Sequence, residues 1–187
     1  MIRVTWDWLG QGPALDLADT VTVAGGVEHD LLERPGEYER WAAAEAAALG
    51  LPEVEAQTLI EARPALLGLR NGIREVLFAT AAGRPLPDDA VASLNRASRA
   101  APEWTELDPA SGTLRAAARA ARVDRVAALY ARSAMALVAD HAGSVRVCPA
   151  PSCGMFYLPR RADQHWCSTQ CGTRARVARH AAARRLA

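Results

Sequence analysis

With 187 residues, half of them apolar, and a mean hydropathy of −0.05, the chain can bury one good core and does not have the composition of a disordered or membrane-embedded protein. The first residues, Met1 to Asp7, are interrupted by charge, and no later apolar run reaches spanning length, which predicts a cytoplasmic protein with no membrane partner. The net charge of +1 hides a split: residues 141–187 hold eight arginines and one acid, Asp163, while the rest holds fourteen arginines and twenty acids. A basic tail on an acidic body suggests that the tail meets a polyanion.

In chain order, Pro35 to Leu49 is rich in helix formers, has acids in its first turn and is followed by Gly50, which predicts a helix ending there. Pro52 then opens a stretch to Ala82 with Val54, Leu59, Leu66, Leu69, Ile73, Val76 and Leu77 at helical intervals. Pro64 forces a kink or a break near its middle. Asp88 is placed to cap a further helix that stops before Pro102. Trp104–Leu107 and Thr113–Ala118 form a short predicted hairpin around DPASG. Residues 120–141 repeat apolar positions over the best-defined long helix, and Gly143 ends it. The expected fold is mainly α: a multihelical domain over residues 1–142, and a small treble-clef-like finger over 143–187. No linker separates the two, so the finger should dock on the body.

All four cysteines lie in the basic segment, as Cys148-x4-Cys153, thirteen residues, then Cys167-x3-Cys171. Two close thiolate pairs joined by a loop suit tetrahedral zinc, so one structural Zn2+ per chain is expected. Four sulfurs leave no open position for catalysis. Two disulfides, metal-free buried thiols, a redox-switchable zinc site, and His165 as a replacement ligand are the competing readings. Met155–Leu158 and Gln164–Trp166 read as two strands around Pro-Arg-Arg-Ala-Asp, with Ser168 and Thr169 as caps for a terminal helix.

These residues resemble the CGNR zinc finger. The matches are Cys148, Cys153-Gly154, Phe156, Trp166-Cys167-Ser168 and Cys171-Gly172 with Arg174. The N-terminal part is similar to the ABATE domain, through Leu15-Asp16-Leu17-Ala18-Asp19-Thr20, Asp30-Leu31-Leu32, Trp41, Leu69 to Leu77 and Leu94-Asn95. Thr173 and Asp19 stand where the family has asparagine, and Gln164-His165 replaces its usual arginines. The resemblance covers nearly the whole chain. It implies a bacterial stress-response transcription regulator, with a helical sensor domain and a DNA-binding finger.

Three function classes follow. The first is a regulator that binds double-stranded DNA through Arg160, Arg161, Arg174, Arg176, Arg179, Arg184 and Arg185. At about 100° per residue, Arg174, Arg176 and Arg179 spread over more than one helix face, which favours phosphate contact over groove reading. The competing reading pairs these arginines with the acidic body. The second is a sensor for a small-molecule effector: Arg70 and Arg74 sit four apart on one helix, facing Asp16, Asp19 or an anionic ligand, with Thr20 and Asn95 as polar partners. Ordinary ion pairing explains the same residues. The third is a protein-interaction or homodimer module with a purely structural zinc, using Trp6, Trp8 or Trp41. No phosphate loop, His-Glu-x-x-His or nucleophile elbow is present, so no enzyme and no catalytic residue is expected.

Overall fold

The computed structural model describes residue 8 and residues 10–24, 26–51, 53–141 and 143–186. Trp6 and Pro52, and the side chains of Val54 and Arg185, all part of the sequence-based expectations, lie outside the described residues. Seven helices and three antiparallel two-stranded hairpins make up the described chain.

Pro13, its fixed φ suited to a first helical turn, starts α1 (Pro13–Ala18). The backbone amides of Gly10, Gln11 and Gly12 donate to the Asp16 carboxylate in front of it. A hairpin follows, β1 (Val21–Ala24) and β2 (Val27–Asp30), with Val21 opposite Asp30. The helix predicted from Pro35 is α2 (Glu37–Ala48), and Gly50 at φ 65° turns the chain after it. Pro64 breaks the next stretch into two helices, α3 (Glu53–Glu61) and α4 (Arg63–Ala81). It falls in the first turn of α4, where a missing amide hydrogen costs nothing. Asp88 opens α5 (Asp88–Ala100) from inside its first turn; the capping position is Pro87, so Asp88 complements the helix dipole instead of capping.

The hairpin predicted after Pro102 is present as β3 (Glu103–Leu107) and β4 (Leu114–Ala118), closed by Ala110 and Ser111 amides donating to Asp108. The long helix α6 (Arg122–His141) packs against α1, α3, α4 and α5 and completes the core. Trp41, fully buried, lies between the tilted rings of Tyr38 and Tyr130, which assigns it to the core and not to an interface. Among the described residues no helix is long and apolar enough to cross a membrane.

One core feature is costly. Asp16 and Glu45 are both fully buried, and Tyr130 donates to Glu45 Oε1 at 2.8 Å. Burial, with the Asp16 charge added, pushes the Glu45 carboxyl up to about 8, and burial raises Asp16 to about 6. A raised acid keeps its proton in the folded state after the unfolded chain has lost it. Stability is therefore full below pH ~4.5 and falls as pH rises toward ~8. Glu45→Gln retains an acceptor for Tyr130 and removes the charge. It should raise stability at pH 8 by about 1–3 kcal/mol and flatten the decline from pH 5, read by denaturant melts at both pH values.

Candidate metal centre

The finger is built on two short strands and a helix: β5 (Arg146–Val147), β6 (Phe156–Tyr157) and α7 (Thr169–Leu186). The pairing differs from the sequence expectation. β6 pairs with β5, Arg146 opposite Tyr157 and Val147 opposite Phe156, and residues 164–166 form no strand. The Gln164 side chain closes that loop instead: Oε1 accepts from the Arg160 amide at 2.9 Å, and Nε2 donates to the Trp166 carbonyl at 2.9 Å. Ser168 caps α7, its hydroxyl accepting from the Cys171 amide, and Thr169 is the first helical residue.

The turn after Cys148 brings two left-handed residues, Ser152 at φ 59° and Gly154 at φ 73°. It returns the chain so that the Cys148 amide donates to the Met155 carbonyl at 2.8 Å. Cys148 and Cys153 lie on this knuckle, and Cys167 and Cys171 flank the start of α7. All four sulfurs fall within 4.8 Å of one another. Cys153 and Cys167 are 3.7 Å apart, Cys167 and Cys171 3.5 Å, and Cys171 and Cys153 3.7 Å. A tetrahedron with zinc–sulfur bonds of about 2.3 Å has sulfur–sulfur edges of about 3.8 Å, so the cage has the size of a ZnS4 site. All four cysteines are free thiols, with no disulfide among them.

The sulfurs are supplied with donors. The Cys167 amide and the Ala150 amide point at Cys148, the Met155 amide at Cys153, and the Arg174 guanidinium at Cys171 Sγ at 3.0 Å. Hydrogen bonds from the Cys153 and Cys167 thiols hold Cys148 well below the ordinary thiol range. As donor to that sulfur, Cys153 is pushed up to about 12, and Cys167 is raised as well. Hydrogen bonds among the thiols alone therefore favour charge on Cys148 at the expense of Cys153 and Cys167. A dication held by all four balances the charge, and the amides and Arg174 share the excess. The residues fit one structural Zn2+. His165 is exposed, its ring against Trp166, and is not in the cage.

The finger is seated on the body through its knuckle. The Val23 amide donates to the Cys153 carbonyl at 3.0 Å, and the Phe156 amide donates to Asp19 Oδ1 at 2.8 Å. Phe156 is fully buried in the body's core, edge-on to Phe78, with the Arg74 guanidinium near both rings. Burial pushes the Asp19 carboxyl well up. In its uncharged form it offers the carbonyl acceptor that asparagine would offer, which accounts for the exchange at this position. Phe156→Ala should cost about 3–5 kcal/mol in a denaturant melt. Thr173, the other departure, is exposed, donating to the Thr169 carbonyl and accepting from Arg176.

Of the residues expected to hold an effector, Arg70, Arg74 and Thr20 instead hold the body hairpin that carries the seat of the finger. Arg70 pairs with Asp30 and also donates to Thr20, and Arg74 pairs with Glu28 while donating to the carbonyls of Ala18 and Val21. Two strand residues i and i+2 span about 6.6 Å, and two helix residues i and i+4 about 6 Å, so β2 and α4 match rung for rung. The partners are thus Asp30 and Glu28 rather than Asp16 and Asp19. Asp16 points to the Glu45 cluster, and Asn95 makes no hydrogen bond to any of these groups. The sequence reading missed this hairpin, although Val-Thr-Val-Ala-Gly-Gly-Val carries the two-glycine turn signal.

Of Arg160, Arg161, Arg174, Arg176, Arg179 and Arg184, all exposed, only Arg161 is in an ion pair among the described residues, with Asp163 at 3.6 Å. The body's Glu28, Asp30, Glu37, Glu39, Glu103 and Glu106 pair with arginines of the body.

None of the curated proteins matches the chain. The family model for ABATE, described as "putative stress-induced transcription regulator", matches residues 11–141, and that for the CGNR zinc finger matches residues 144–185. With seven-tenths of its length in the first match, the chain belongs to the ABATE family and carries a CGNR zinc finger at its C-terminal end.

Proposed function

We propose that this protein is a DNA-binding transcription regulator of bacterial stress responses, acting in the cytoplasm, whose finger grips the phosphate backbone of duplex DNA. The observation that carries the reading is the unneutralised charge of the finger: exposed arginines with one carboxylate among them, none of them in an ion pair with an acid of the body among the described residues. Arg174 is the exception, since its guanidinium is tied to Cys171 Sγ and to the Ser152 carbonyl. It buttresses the metal site, which leaves Arg160, Arg161, Arg176, Arg179 and Arg184 as the phosphate-contacting set. Four sulfur ligands leave the zinc no open position, so its role is architectural and no catalysis is assigned to it.

Affinity for genomic duplex fragments should fall steeply with salt. Each of Arg176→Ala, Arg179→Ala and Arg184→Ala should lower the slope of log affinity against log salt by about one. Fluorescence anisotropy at several salt concentrations measures this. No salt-dependent binding at low ionic strength would overturn the proposal and leave a protein-interaction module, which light scattering across a concentration series would reveal as self-association.

A further inference from the structure

A cleft of about 960 Å³ opens between the N-terminal loop of the body and the finger, with Trp8, Gln11 and Thr22 contributing from the body. Small-ligand sites favour such seams and reach about this volume. Its charge is one-sided. Arg160, Arg161, Arg174 and Arg176 line it against one carboxylate, Asp163, which already faces Arg161. Positive groups in a concavity concentrate their field on an anion more than the same groups on a convex helix. An aromatic component accompanies the charge: Trp166, half-buried with its ring against Gly172, lines the cleft together with Trp8.

Several guanidiniums beside indole rings are the complement of a phosphate chain attached to a flat aromatic ring. We propose that this cleft binds a nucleoside triphosphate-type ligand, with its oligophosphate on Arg160, Arg161 and Arg176 and its base against the tryptophans. The effector site then lies on the seam that joins body to finger. It does not lie at Arg70 and Arg74, whose guanidiniums are engaged by Asp30, Glu28, Thr20 and backbone carbonyls. Arg160, Arg161 and Arg176 are shared with the proposed DNA-contacting set, whereas Arg179 and Arg184 lie outside the cleft, so variants at the latter pair separate the two sites.

Calorimetric titration of the zinc-loaded full chain with ATP, tripolyphosphate and adenosine, each with magnesium to protect the zinc, tests the proposal. ATP should saturate at one per chain, tripolyphosphate should bind about tenfold more weakly for want of a stacked base, and adenosine more weakly still. The double variant Arg160→Ala/Arg161→Ala, both exposed and outside the metal site, should weaken ATP at least about tenfold. Arg179→Ala/Arg184→Ala should leave ATP affinity within about twofold and weaken DNA instead. Absence of saturable ATP binding would overturn the proposal. So would equal losses in the two double variants, which would mean diffuse attraction, or tripolyphosphate binding as tightly as ATP. A chain that binds ATP but no duplex DNA keeps this site and loses the proposed function; DNA binding without ATP binding does the reverse.

Discussion

Cys171→Ser is expected to bring the zinc content of freshly reduced protein from one per chain to near zero, measured by elemental analysis after exchange into metal-free buffer. The sulfurs of Cys153 and Cys167 stand 3.7 and 3.5 Å from that of Cys171, so the variant removes one corner of a closed cage. A serine hydroxyl does not ionise near neutral pH to replace it. Structural zinc sites hold their metal by about 10–16 kcal/mol, and that energy is also folding energy for the finger. The loss should reach the body, because Val145 and Phe156 belong to its core, so the melting temperature should fall with the metal. Thr173→Asn is the control. Its side chain is exposed two residues beyond Cys171 and outside the cage, and zinc should stay at one per chain. If Cys171→Ser retained a full zinc, the fourth ligand would have to lie elsewhere, with His165 the neighbouring candidate.

Gly154→Ala is expected to unseat the finger with all four cysteines intact. A Cβ at this position would stand 2.8 Å from Val23 Cγ2 and 3.2 Å from Val23 Cβ, and the backbone there has φ 73°. The left-handed conformation costs a non-glycine residue about 1–2 kcal/mol, and overpacking a further 1–3 kcal/mol. A loss of about 2–5 kcal/mol follows, read by denaturant melts, together with faster exchange of the Val23 and Phe156 amides. Adding Val23→Ala should recover the overpacking part and leave the backbone part. That partial rescue separates the two causes; a full recovery would show that the conformation costs nothing, and none would show that contact with Val23 does not matter.

Much of this fold was legible where one residue decides a local outcome. Pro64 interrupted the helical run, Gly50 stopped α2, and the cysteine spacing pointed to the metal cage. What was not legible depended on partners far along the chain. The strand at Phe156-Tyr157 looked like half of a hairpin over Pro-Arg-Arg-Ala-Asp, because a turn-rich segment between two aromatic-containing runs carries that signal. Its actual partner, Arg146-Val147, lies across the first cysteine pair, and the amide of Gln164 closes the loop in place of strand pairing. Arg70 and Arg74 were correctly placed on one helix face. Their acids could not be chosen between α1 and β2 without knowing that the hairpin lies across α4.

The seating of Phe156 bears on how such fingers can be reused. A cysteine cage of this kind is often imagined as a cassette, cut at its borders and joined to any carrier. Here the cassette would leave with the fully buried ring of Phe156 exposed, and the carrier would need a pocket beside a phenylalanine, an uncharged acceptor like Asp19 and a hairpin that tolerates close approach at Gly154. Chimaeras that swap fingers between members of the family should therefore succeed when the α1, β1–β2 and α4 surface travels with the finger, and fail when the cut is made at residue 143.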